Sequence, residues 1–166
     1  MVDEPVLDKN FNQTTDNNET PVVKSIRNLV QQSPYAILCS QINGQPYGSL
    51  LAYSASEDLS SIYFATPKST RKYNILSSED RVSFVIDNRH LENFNLMSIS
   101  AVTITGIARE VKELTAKQEY SAILLKKHPF LKELLHAQSA ALFEIETHRF
   151  LFVERFQEVK EWVIEK

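Results

Sequence analysis

Tyr35-Ala36-Ile37-Leu38-Cys39-Ser40-Gln41-Ile42-Asn43-Gly44-Gln45-Pro46-Tyr47-Gly48-Ser49-Leu50-Leu51-Ala52-Tyr53-Ser54 reads as a β-hairpin. Two runs of strand-forming residues flank Asn43-Gly44, the dipeptide that best tolerates positive φ at both central positions of a tight turn. The return strand is expected over residues 46–54. A local antiparallel pair of this kind argues against a doubly wound parallel sheet, in which strands are joined by long helical crossovers.

Moving outward, Ser61-Ile62-Tyr63-Phe64-Ala65-Thr66 forms a third apolar, β-prone run, stopped by Pro67. Arg81-Val82-Ser83-Phe84-Val85-Ile86-Asp87 is a fourth strand, residues 98–111 a long fifth and residues 141–156 a long sixth, with a bend expected near Thr147-His148. Gly106 interrupts the fifth, as glycine does at a bulge or a barrel corner. Helices are expected from Thr20-Pro21 to about Gln32, over residues 69–77, from Thr115 to about Lys127, and briefly after His128-Pro129. The fold class is α+β, mainly β: a six-stranded antiparallel split β-barrel with peripheral helices. Residues 1–20, polar and rich in Asn, Asp and Thr, read as a flexible tail, residues 88–96 as a polar loop, and residues 21–166 as the barrel domain.

Composition narrows the function. A net charge of −3 over 166 residues gives no general affinity for nucleic acid or an anionic membrane. No apolar run approaches a membrane span, and the polar N-terminus does not read as a signal peptide. Cys39 is the single cysteine, so no intrachain disulfide can form; a cytoplasmic protein is expected. His90, His128, His136 and His148 show no metal-ligand spacing, and no metal is expected.

One cluster stands out. Thr66, Lys68, Ser69, Thr70, Arg71 and Lys72 put three hydroxyls and three cations into seven residues at the start of a short helical pattern. Such a group suits a phosphate. A solvated basic turn has the same composition, and the residues alone leave both readings open.

Taken in order, Gly44-Gln45-Pro46-Tyr47-Gly48-Ser49, then Tyr63-Phe64-Ala65-Thr66, Thr70-Arg71-Lys72-Tyr73-Asn74-Ile75, Arg81-Val82-Ser83-Phe84-Val85 and Thr105-Gly106-Ile107-Ala108-Arg109-Glu110-Val111 are similar to elements of one family. From about Val22 to Trp162 the chain resembles the pyridoxamine 5'-phosphate oxidase-like split-barrel flavoproteins, of the general-stress or pyridoxamine-oxidase-related kind. Arg71 stands where the family usually has Lys. The resemblance implies FMN at a homodimer interface, with phosphate on Ser69, Thr70, Arg71 and Lys72, Thr66 nearby, and Ser49 and Leu50 along the isoalloxazine ring. It implies an oxidoreductase with a small-molecule redox substrate. Alternatives on the same barrel are deazaflavin, haem with His148 as the axial ligand to test, or a non-catalytic protein that stores or senses a flavin. The true oxidases carry a longer C-terminal region with substrate-phosphate ligands, and His148-Arg149 is the only trace of such a set here.

Overall fold

Asn43 (φ 52°) and Gly44 (φ 76°) both take the left-handed backbone that their turn demands. They join β2 (Tyr35–Ile42) to β3 (Gln45–Ala52) in an unbroken register, from Ile42 opposite Gln45 to Tyr35 opposite Ala52. The computed structural model describes residues 12–14, 20–89, 97–155 and 158–164. Most of the tail expected over residues 1–20, and of the loop expected over 88–96, lies outside them, as does His90.

Before the hairpin come β1 (Asn12–Thr14) and α1 (Pro21–Gln32). The Thr20 hydroxyl accepts from the Val23 N–H, and proline occupies the first helical turn, where its missing N–H costs nothing. Val23, Ile26, Leu29 and Val30 recur at helical spacing and are buried together against the sheet. After the hairpin come β4 (Ser54–Ala55), β5 (Ser61–Pro67), α2 (Arg71–Leu76), β6 (Arg81–Asp87) and β7 (Ala101–Glu110). Then follow α3 (Leu114–Lys127), a 3-10 turn at Pro129–Leu131 leading into α4 (Lys132–His136), β8 (Ala140–Glu154) and β9 (Glu158–Val163).

The expected barrel is present. Strand β2 pairs with β3 and β6, β6 with β7, β7 with β8, and β8 with β5, all antiparallel. The circuit closes through β4, which continues β3 past Tyr53 and pairs Ser54 and Ala55 with Tyr63 and Ile62 of β5. The closure is only two residues deep. Along Gln45–Ala52 strand β3 has β2 on one side and no strand on the other, among the described residues. That open edge is the split. Beyond the six barrel strands, β9 adds to the far half of β8, and β1 pairs parallel with β9.

The register break falls where glycine and the expected bend coincide. Thr105 faces Arg149 and Gly106 faces Thr147, so His148 has no partner on β7. This bulge shifts the phase of β8. Ala141, Phe143, Ile145 and Thr147 point into the barrel, and after His148 it is Phe150 and Phe152 that do so. A Cβ on Gly106 would stand 2.3 Å from the Glu146 carbonyl oxygen, so the close approach of the two backbones admits no side chain.

Phe64, Phe84, Phe143, Phe150, Ile104 and Leu38 fill the barrel with the apolar face of α1. A second, smaller core lies outside it, where Tyr63 and Leu142 meet Val111 and Leu124. Tyr63 stacks on Tyr120 of α3 with ring centres 4.2 Å apart. No helix among the described residues is long and apolar enough to cross a membrane.

Candidate functional site

The basic segment turns at the rim of the split. Strand β5 alternates, so Phe64 and Thr66 face inward while Ala65 faces the helices. Thr66 is buried, and its Oγ1 lies 3.1 Å from Thr70 Oγ1. Thr70 is the N-cap of α2: its hydroxyl accepts from the Tyr73 N–H at 3.3 Å and donates to the Pro67 carbonyl at 2.9 Å. Its backbone is extended, which starts the helix two residues later than residue 69. Ser69 is exposed at the tip of the turn.

The cations separate. Arg71 is exposed and lies over the Tyr47 ring of β3, 5.0 Å from guanidinium carbon to ring centre. Lys72 is half-buried with no carboxylate at ion-pair distance among the described residues, and loss of solvation lowers its amine below the usual lysine value. Lys68 turns the other way, its Nζ 3.8 Å from Glu110 Oε1. The other Glu110 oxygen accepts from the Tyr73 hydroxyl at 3.3 Å. Among the described residues Arg71 and Lys72 therefore lack acidic partners, and Lys68 has one.

Across the split, Ser49 and Leu50 occupy successive positions on β3 and point to opposite faces. Ser49 faces Leu38, on the barrel side, and its buried Oγ has no hydrogen-bond partner among the described residues. Leu50 faces Ile37 on the outside and is 65% exposed. One flat ligand cannot lie against both side chains on a single face. It can meet both residues through the backbone of the open edge. The donor set at this rim comprises two uncompensated cations, hydroxyls at Thr66 and Ser69, an orphaned serine oxygen and an unpaired strand edge. That set fits an oxyanion attached to a flat, hydrogen-bonding body.

Tyr47, which holds Arg71, and Glu110, which withdraws Lys68, lie in segments that resemble the family, but nothing in the sequence marks either as a partner of these cations. Their roles come from strand pairing: β3 brings Tyr47 across the split, and β7 brings Glu110 beside the start of α2. Beside α2 an open cleft of about 540 Å³ is lined by Tyr73, Phe143, Arg109 and Glu110, among others. Ser49, Arg71 and Lys72 do not line it.

The histidines divide. His128 caps the end of α3 and is buried, its Nε2 2.8 Å from the Tyr53 carbonyl oxygen. Burial lowers its imidazole below the ordinary value. Beside it Lys127 Nζ donates to the Val30 carbonyl at 3.0 Å and sits 4.1 Å from the centre of the Tyr53 ring, and burial lowers its amine to about 8. The Tyr53 hydroxyl donates to the same Val30 carbonyl at 2.7 Å. This cluster anchors α3 to the end of α1. His136 closes α4, with Nδ1 2.7 Å from the Lys132 carbonyl oxygen. His148 is half-buried at the bulge. Among the described residues no three His, Cys, Asp or Glu side chains converge as metal ligands.

Comparison with known proteins agrees with the fold. The general stress protein 26 from Bacillus anthracis superposes with a TM-score of 0.63 at 14% identity, over 81% of this chain and 95% of its own. An FAD-binding protein from Mesorhizobium loti gives 0.63 at 14%, over 80% and 93%. A haem-binding protein from Mycobacterium smegmatis gives 0.77 at 14%, over 87% of this chain, which spans 58% of that protein's length. At such identities the likeness is one of fold. No curated protein sequence matches the chain. The sequence profile described as pyridoxamine 5'-phosphate oxidase matches residues 22–154, and the chain belongs to that family.

Proposed function

We propose that this protein binds FMN at the split of the barrel as a homodimer and acts as an oxidoreductase on a small-molecule substrate. The observation that carries the reading is Arg71, held over Tyr47 of the open strand edge and followed in sequence by the half-buried Lys72, with a buried Ser49 oxygen on that edge that has no hydrogen-bond partner among the described residues. Arg71, Lys72, Ser69 and Thr66 would hold the phosphate, and the edge at Ser49–Leu50 the ring. Thr70 contributes by fixing the turn, because its oxygen is already engaged by Tyr73 and Pro67. Bound flavin would supply hydride or electron transfer. The chain would orient the ring and neutralise the phosphate.

A second copy would supply the missing wall. On the outer face of the sheet, Leu50, Ile37, Val85, Thr103 and Leu151 lie in one cross-strand row by register. This mostly apolar row runs from the split toward Glu161, which is buried and paired with Arg149 at 3.0 Å. A twofold dimer over this row would cover Leu50 and bring a partner surface to the site. The cytoplasm suits the lone, half-buried thiol of Cys39.

The test is the absorption spectrum of the purified protein before and after addition of FMN, with the mass in solution measured on the same sample. Oxidised-flavin bands that remain with a dimer support the reading, and reduction by NAD(P)H then separates an enzyme from a storage or sensing protein. A Soret band would favour haem, and His148 would then be the axial ligand to replace. A colourless protein that ignores FMN overturns the site.

A further inference from the structure

Behind the rim of the split lies a second cleft, of about 280 Å³, between the outer face of β5 and β8 and the helices α3 and α4. It is separate from the flavin site just proposed, because β5 divides them: Thr66 faces one and Ala65 the other. Leu135, Leu142 and four alanines give it an apolar floor. Lys68, Lys117, Ser121 and Gln138 supply its polar groups, and no carboxylate lines it. Lys117 and Ser121 stand one helical turn apart on α3, on the same face, and neither side chain has a partner among the described residues. Lys68 is held over the cleft by its long contact to Glu110 and by its backbone N–H, which donates to the Ser139 carbonyl at 2.7 Å.

In a chain of net charge −3, a concave surface lined by two ammonium groups and no carboxylate, with one of the two also 3.8 Å from Glu110 outside the lining, is locally positive. The apolar floor excludes water from one end of a ligand while the lysines hold the other. Lysine is a point charge without arginine's planar fork, which suits a single anionic head. The volume limits the body to roughly ten non-hydrogen atoms. We propose that this cleft binds a small carboxylate with an apolar body, its head between Lys68 and Lys117 and its body on Leu135 and Leu142.

The test is a titration of the full-length, 15N-labelled protein with benzoate, followed by amide chemical shifts, with benzyl alcohol as the neutral analogue. The expected result is saturable shifts at Ser121, Gln138 and Ala140, with a dissociation constant of about 1 mM or tighter. Benzyl alcohol at the same concentrations leaves these amides unmoved, and added FMN does not displace benzoate. Lys117→Gln should weaken binding at least about fivefold, and Lys117→Arg, which keeps the charge and the fold, should retain it. Four results would overturn the proposal: no saturable shift, equal shifts with benzyl alcohol, unchanged binding in Lys117→Gln, or shifts centred on Ser49 and Arg71.

Discussion

The Arg71 guanidinium lies over the ring of Tyr47, so that a residue at the start of α2 touches a strand on the opposite rim of the split. The contact orients a cation that has no acidic partner among the described residues. It also fixes the direction in which a phosphate would find it.

Arg71→Ala should weaken FMN binding by on the order of 10- to 100-fold, the worth of one charge-assisted bond. Lys132→Ala, on exposed α4, should leave it unchanged. Titration of flavin fluorescence gives both numbers, and equal affinities in the two variants would remove Arg71 from the site.

Leu50→Glu should convert a dimer to a monomer. Leu50 is the exposed end of an apolar row, and a carboxylate there would be buried against its own symmetry mate. Light scattering gives the mass. A dimer that persists in this variant would mean that the row on β3, β2 and β6 is not the interface.

Gly106→Ala should lower stability by about 3 kcal/mol or more, because its methyl would overlap the Glu146 carbonyl and neither backbone can move without breaking the bulge. Gly48→Ala is the control. There a Cβ would meet only Ile37 Cγ2 at 3.7 Å, and the change should stay within about 0.5 kcal/mol. Urea midpoints of the two variants should differ clearly.

Stability should rise as the pH is raised from about 8 toward about 10. Lys127 titrates near 8 when folded and near 10.4 when unfolded, so in this window the unfolded chain holds more protons. Lys72, also lowered, acts in the same direction. Above this window the sign reverses. Burial raises Tyr53, and raises Tyr63 to about 12, so the folded state then holds the extra protons. On the acid side, His128 titrates below its unfolded value, and stability should fall as the pH drops through that range. Lys127→Met should flatten the slope between about pH 8 and 10. An unchanged slope would place the buried charge elsewhere.

Where sequence reading succeeded, the signals were local. Asn43-Gly44 set the hairpin register by itself, Thr20-Pro21 set the start of α1, and Gly106 marked the bulge. It failed where a neighbour decides the outcome. Residues 158–163 lie beyond the last strand expected from the sequence, yet they form β9. There the edge of β8 offers a ladder, Arg149 accommodates the buried Glu161 and Phe150 packs on Trp162. Helix α3 was expected to open at Thr115. Its cap is Glu113, whose carboxylate accepts from the Thr115 and Ala116 N–H groups, a geometry that a preference for hydroxyl caps overlooks. In the basic segment the composition was legible but not its division. Which cation faces the split and which faces Glu110 depends on the phase of β5 and on Pro67, and neither can be read from charge spacing.

His148 is the residue that β7 does not count. Replacing its side chain leaves the inward order of β8 intact. Removing the residue would close the bulge: Thr147 and Arg149 would become consecutive partners of Gly106 and Thr105, and Phe150 and Phe152 would still face inward. At this position the extra residue sets curvature and not pattern: the strand keeps its inward order with any occupant or none, and without one it loses only its bend.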